Sequence, residues 1–297
     1  MWNRPAPQPQ VQQTTNPQGP AGPGPQPGQA TSPAQRGSGA PTLEQIRAGA
    51  VLEPGMSGGA ATELQTRLTR LGFPTAVTGS HDPASVAALT EFQKRYGVQQ
   101  NGRLGPTTLT VLDWAMACSV TLQQLMACTN LDAAAAAAEL PGLNASMYFA
   151  NIDSVQRKAT YIAQLGHESM GFQRFEEFAS GADYEGRRDL GNTQRGDGKR
   201  YKGRGAIQLT GRANYRSATQ DIGGMLGGTN LETNPERADD PDVRYLTAAW
   251  YWNERGLNEY ADAGKFDTVT ARINGGQNGA ADRKARYNKA LKVLKAG

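Results

Sequence analysis

The sequence predicts a mainly α-helical protein. Apolar residues recur at helical spacing along most of the chain, glycines close the periodic stretches, and no segment of useful length alternates apolar with polar residues as a half-buried strand would. Leu64, Leu68 and Leu71 form an i, i+4, i+7 stripe that Gly72 stops. Val86, Leu89 and Phe92 form a second stripe ended near Gly97, so residues 42–117 are expected to make a small three-helix unit. Helical text resumes at Val120–Leu125 and continues through an alanine run at Ala133–Ala138, good helix formers that read as packing or surface. Ser154 then caps a long helix running to about Met170.

At 297 residues the chain has room for about two domains. A different kind of segment precedes them: residues 1–41 hold ten of the 17 prolines, many Gln and Gly, and almost no apolar side chains. Such a stretch cannot bury enough surface to offset the entropy of ordering. It is expected to be a disordered arm with local polyproline II character, serving as a tether or as nothing more than an extension. The expected organisation is therefore an arm at 1–41, the small helical unit at 42–117 and a larger helical domain at 118–297.

The formal net charge of +4 conceals its distribution. Residues 42–117 balance 6 basic against 6 acidic side chains, whereas 187–216 carry 9 against 2 and 265–297 carry 8 against 2. Two basic zones favour a polyanionic partner, with Lys289, Lys292 and Lys295 as the most exposed candidates on a terminal helix. No nucleic-acid reading motif accompanies them, so nucleic acid is not expected. Cys118 and Cys128 have neither zinc spacing nor the makings of a disulfide framework, and read as buried structural thiols. The first residues lack the apolar core of a signal peptide and no run nears the ~18 apolar residues of a membrane span, so neither a leader nor an integral membrane segment is expected.

Chemistry concentrates between Gly166 and Tyr215. On the helix ending near Gly171, Ala159, Ile162, Ala163 and Gly166 share one buried face while Tyr161, Leu165 and Glu168 line the neighbouring side, which puts Glu168 on the rim of the core. A carboxyl group partly withdrawn from water suits a general acid, although a glutamate at a helix end is more often a solvated charge. Further carboxylates follow at Glu176, Glu177 and Glu185. Glycosidic cleavage needs carboxylates on two sides of a groove, one to protonate the leaving oxygen and one to activate water. On a straight helix Glu177 would lie about 13 Å from Glu168, beyond the roughly 6.5–9.5 Å of an inverting pair. Gly171 offers the break that folds them together. Glu185 reads as an ion-pair partner of Arg187 or Arg188.

Other chemistries fit less well. His167-Glu168 begins like a zinc-protease helix, but the position four after His167 is Gly171 and the other histidine, His81, falls in a different segment, so no metal and no cofactor are expected. The glycine-rich run from Gly196 to Gly205 lacks the Gly-Lys-Ser/Thr ending of a phosphate loop and reads as backbone that lets a sugar chain approach closely. No Gly-x-Ser-x-Gly elbow exists, and with His167 the only histidine in the second half a serine triad is not expected.

The Gly-His-Glu-Ser-Met-Gly-Phe block around Glu168, Tyr184-Glu185-Gly186-Arg187, Asp189-Leu190-Gly191-Asn192-Thr193, and the run from Gly203 to Thr210 stand in the order of glycoside hydrolase family 19. The chain resembles that chitinase and lysozyme-like family, in particular its bacteriophage cell-wall-lysing members. The resemblance implies a peptidoglycan hydrolase that cleaves β-1,4 bonds by an inverting mechanism. It assigns Glu168 as acid and the glutamate nine residues on, Glu177, as base, with Glu176 and Glu185 as rivals. Ala179 stands where some phage members carry threonine, leaving Ser180 or Thr210 to steady the water. Gln208, Thr210 and Asn214 are implied to face substrate, Asn274 to contact sugar and Arg283 to support the acid. His167 and Tyr201 are counted with the substrate-facing residues. A common Asn-Gly turn competes as a reading of Asn274, and the start of a basic helix as a reading of Arg283.

The pattern from Leu64-Gln65 through Gly79, Phe92-Gln93, Asn101-Gly102 and Gly105-Pro106-Thr107-Thr108 is similar to the peptidoglycan-binding module found beside many wall hydrolases. His81 departs from the aromatic residue often seen there. Together the two resemblances imply a monomeric endolysin whose partner is peptidoglycan, made in a bacterial host cytoplasm and acting on the wall in the periplasm, free or attached to a virion through 1–41. The alternatives are a chitinase, a lytic transglycosylase using one glutamate, and a wall-binding virion structural protein without activity.

Overall fold

A computed structural model describes residues 39–225 and 227–296; all but the last three residues of the expected arm lie outside these. Among the described residues regular structure is helical, with isolated bridges in place of strands. The mainly α class read from the sequence is the one observed.

The N-terminal cluster comprises α1 (Leu43–Arg47), α2 (Gly59–Leu71), α3 (Pro83–Arg95) and α4 (Pro106–Cys118). Local chemistry sets their ends. Thr42 and Gln45 close a capping box on α1, Asp82 caps α3 just ahead of Pro83, and Gly72 ends α2 in the left-handed region at φ 101°. The stripes become core: Leu64, Leu68, Leu71, Leu89 and Phe92 are fully buried. His81 is also buried, its ring bridging Ser85 Oγ at 2.7 Å and the Gly102 carbonyl at 2.8 Å, so it ties the loops on either side of α3 together.

There follow α5 (Leu122–Thr129), α6 (Ala133–Phe149), α7 (Val155–Glu168), α8 (Asp197–Arg200), α9 (Arg212–Ile222), α10 (Arg244–Glu254), α11 (Leu257–Asp262), α12 (Phe266–Asn274) and α13 (Ala280–Ala296). Ser154 caps α7 by accepting the Arg157 N–H. Sequence periodicity gave α7 one buried face with a second along its side. The helix is buried all round from Ala159 to Gly166, Thr160 and Gln164 included, because α13 lies along it and Trp252 of α10 meets Tyr161 edge-on at 4.9 Å. Cys118 and Cys128 are free and buried, and burial pushes their thiols up to about 12 and about 11.

The N-terminal cluster is not a bead on a tether. Asn144 of α6 donates to the Leu71 and Val120 carbonyls at 3.3 and 3.1 Å, and Tyr96 meets Tyr148 edge-on at 5.0 Å. Arg95 pairs with Asp242 at 2.6 Å. A Cβ on Gly72 would strike the Pro141 ring, so that glycine serves close packing as well as the turn. One apolar core runs through both regions, and packing fixes where the cluster sits.

Candidate active site

α7 stops at Glu168 because the backbone turns left-handed at Met170 (φ 52°), Gly171 (φ 78°) and Phe172 (φ 66°). The Gly171 N–H closes the turn on the Gly166 carbonyl at 2.6 Å, and Ser169 Oγ donates to the Leu165 carbonyl while accepting the Phe172 N–H. This is the break that Gly171 offered. Beyond it the chain runs extended against 203–205, with Gly205 N–H donating to the Phe175 carbonyl (2.7 Å) and Glu177 N–H to the Gly203 carbonyl (3.0 Å). Those bonds deliver Glu177 to a cleft that Glu168 also lines, together with Met170, Arg174, Glu176, Phe178, Ala179 and Gln208.

The two glutamates are held differently. Glu168 Oε1 accepts from Arg283 Nη2 at 2.5 Å, and its side chain is 15% exposed. Arg283 is itself 2% exposed and is anchored behind by Gln164 Oε1 (2.6 Å) and the Asn278 carbonyl (3.2 Å), with Gln164 in turn bonded to Thr270 Oγ1 (2.8 Å). Glu177 meets neutral donors instead: the Tyr184 hydroxyl at 3.0 Å on Oε1 and the Gly203 N–H at 3.0 Å on Oε2. Burial and the bond to the Glu177 carboxylate push the Tyr184 hydroxyl up to about 12, so it stays protonated as a donor.

Gly203 gathers the rest. A Cβ there would run into Gln208 Oε1 (2.8 Å) and press on Glu177 Oε2 (3.3 Å) and Thr210 Oγ1 (3.4 Å), which shows that these three groups converge over a residue that has no side chain. Thr210 Oγ1 donates to the Gln208 carbonyl (2.9 Å), and Gln208 adopts φ 53°, a conformation rare outside glycine that its amide stabilises by bonding the Gly205 carbonyl (3.1 Å).

The rival bases are occupied otherwise. Burial raises the Glu176 carboxyl, but Lys202 at 3.3 Å and Arg204 at 3.1 Å outweigh it and hold the group below the usual carboxylate range. Glu185 does not pair with Arg187 or Arg188 as the sequence suggested. Arg187 is bound to Asp189, and Glu185 accepts the N–H groups of Gly196 (2.7 Å) and Gly198 (2.9 Å), tying down the glycine-rich loop at the start of α8.

Several expected substrate contacts lie elsewhere. Tyr201 is fully buried, its hydroxyl donating to the Glu232 carbonyl at 2.8 Å, so it is a core residue and not a groove residue. His167 bonds Asp282 at 2.7 Å beneath Gly279, where a Cβ would overlap its ring. Both ends of the Asn274 amide are used in its own turn, on the Asn278 carbonyl (2.7 Å) and the Gly276 N–H (2.8 Å), so the turn reading holds. Arg283 is buried behind Glu168 and cannot reach a ligand directly. Asn214 spends its N–H on the Thr210 carbonyl at 2.8 Å. The sequence reading passed over Tyr184 and Arg174, although Tyr184 stood inside the block Tyr-Glu-Gly-Arg. Cysteine, histidine and carboxylate groupings that could hold a metal are absent among the described residues.

A helical protein that brings two differently held glutamates to one cleft has the makings of a glycoside hydrolase. Residues 128–293 match the family model of class I chitinases, and the chain belongs to glycoside hydrolase family 19. Residues 57–112 match the model of a peptidoglycan binding domain. A glycosyl hydrolase family 19 domain-containing protein of Haemophilus influenzae is 31% identical over 169 residues, which span 46% of this chain and 79% of that one. An endochitinase of Arabidopsis thaliana is 37% identical over 120 residues, 40% of this chain and 39% of that protein, so the chain spans about two fifths of its plant relative. Chitinase C from Streptomyces griseus, a solved structure, aligns over 59% of this chain and 92% of its own with a TM-score of 0.47 and 26% identity.

Proposed function

We propose that this family 19 hydrolase cuts the β-1,4 glycan of peptidoglycan by single displacement with inversion, Glu168 acting as general acid and Glu177 as general base. The observation that carries this reading is one cleft lined by two glutamates that are held from different sides of it, Glu168 by Arg283 and Glu177 by Tyr184 and the Gly203 N–H. Arg283 occupies one Glu168 oxygen and leaves the other, without a protein partner among the described residues, to carry the proton to the leaving oxygen. Tyr184 and the Gly203 N–H orient Glu177 as a carboxylate that can draw a proton from water, and Thr210 stands beside it to hold that water. Gln208 lines the cleft as an amide for an N-acetyl sugar. A pair of carboxylates, rather than one, supports hydrolysis over the single-acid chemistry of a transglycosylase.

The peptidoglycan-binding match favours the bacterial wall as substrate, and wall lysis by an endolysin is the role that joins both halves of the chain. Chitin is the second reading, favoured by the plant relatives named endochitinases. Mass spectrometry of digested sacculi tests the proposal. Muropeptides ending in reducing sugars are expected; 1,6-anhydro ends, or an undigested wall alongside digested chitin, would overturn it.

A further inference from the structure

Large apolar side chains are exposed at few places among the described residues, and two of them, Met170 at 59% and Phe178 at 72%, line the catalytic cleft. A lone exposed apolar residue needs no explanation, but an aromatic ring directly after the base, at the lip of a cleft of carboxylates, presents a flat face where a sugar ring would lie. Arg174 adds a second feature. Its guanidinium sits 3.1 Å from the centre of the Phe178 ring, and its Nε donates to the Glu176 carbonyl at 3.0 Å. These two contacts fix the group while leaving its outer N–H fork unengaged by any carboxylate among the described residues; the Glu176 side chain is taken by Lys202 and Arg204. Among the described residues that line this cleft Arg174 is the one cation, beside three glutamates.

That arrangement has a consequence for substrate charge. Glu168 and Glu176 are already met by Arg283, Lys202 and Arg204, so Arg174 is the cleft cation left for a ligand: a carboxylate on the glycan would pair with it, where a neutral N-acetylglucosamine polymer offers only weaker hydroxyl and amide oxygens. A planar guanidinium held in place is the side chain best matched to a carboxylate, because it offers two parallel N–H groups. We propose that Arg174 and Phe178 form a subsite for the carboxylate-bearing 3-O substituent of a wall sugar, Phe178 taking a sugar face and Arg174 the carboxylate. This rests on the peptidoglycan reading above and names what in the cleft selects it.

The test measures kcat/KM of the full chain on peptide-bearing glycan strands and on amidase-stripped strands that keep only the lactyl carboxylate, each before and after methylamidation of the carboxylates. The wild type is expected to prefer the charged form about tenfold, the worth of one charge-assisted hydrogen bond. R174Q should lose that preference and R174K regain part of it; because the readout is a ratio within each variant, a reduced folded fraction does not disturb it. Preference on stripped strands alone assigns the lactyl carboxylate, preference on peptide-bearing strands alone assigns the stem peptide, and preference on both assigns a carboxylate in either place. A wild type with no preference, or an R174Q that keeps the wild-type ratio, overturns the subsite while leaving wall hydrolysis standing. A wild type that cuts neither strand overturns the peptidoglycan reading and the subsite with it.

Discussion

Arg283 holds Glu168 by a 2.5 Å hydrogen bond from a position 2% exposed, with Gln164 and Thr270 aligned behind it. Glu168 at the end of α7 is thus positioned by α13, more than a hundred residues later in the chain. Removing the cation takes from Glu168 the donor that fixes it and leaves the buried Gln164 amide oxygen without its partner. R283Q is expected to cost about 1–3 kcal/mol of stability, as buried polar groups left without a partner do. R283K keeps the charge without the fork, and kcat should fall by more than KM rises; thermal unfolding and steady-state kinetics separate the two effects.

The glutamates make a graded series. E168Q and E177Q should each lower turnover by about 10²–10⁴-fold, the range for a positioned acid or base. E176Q should be milder, since that side chain neutralises Lys202 and Arg204. E185Q should act through the loop it ties down at Gly196 and Gly198, lowering thermal stability more than chemistry. Turbidity assays on permeabilised cells rank the four. An E185Q loss exceeding that of E177Q would move the base.

What could be read from the sequence was local. The leucine stripes, the Ser154 cap and the turn at Gly171 each depend on a few neighbouring residues, and each stands where the text put it. Partners set by tertiary packing were not legible. Nothing near Tyr201 in sequence says that its hydroxyl will find the Glu232 carbonyl, or that Arg187 will choose Asp189 and leave Glu185 to backbone N–H groups. The contact of α6 with the N-terminal cluster was equally hidden, because Asn144 and Tyr148 read as ordinary helix positions until Leu71 and Tyr96 are brought against them.

Asp197, 2% exposed, accepts from Arg212 at 2.5 and 3.0 Å, and that bond holds its carboxyl below the usual range despite burial. A depressed folded value contributes stability that is fully present above the ordinary carboxylate pKa of about 4 and is lost as pH falls through the depressed value. D197N should therefore be less stable than wild type by about 1.5–3 kcal/mol at pH 7. The gap should begin to narrow once the pH falls below the ordinary carboxylate range of about 4 and go on narrowing with further acidification. Urea unfolding at a series of pH values gives the comparison; a gap that widens in acid would show that the pair is not the source.

The basic face of α13 is smaller than the sequence suggested. Lys292 and Lys295 are exposed, but Lys289 is partly covered and donates to Asn130 at 2.5 Å. Replacing Lys292 and Lys295 by glutamine should weaken the salt dependence of activity on whole sacculi, because screening acts on exposed charges over about 10 Å at 0.1 M salt. The rate on a short neutral oligosaccharide should not respond to salt. Equal responses from both substrates would leave these lysines as a solvated helix face.

The anomeric form of the first product tests the paired-glutamate mechanism most directly. When β-1,4 glycan strands are digested in an NMR tube and the new reducing ends are observed before mutarotation, water activated by Glu177 on the face opposite the leaving group should yield the α-anomer first. A product that appears first as the β-anomer would mean a covalent or neighbouring-group route and would contradict the assignment of Glu168 and Glu177 as acid and base.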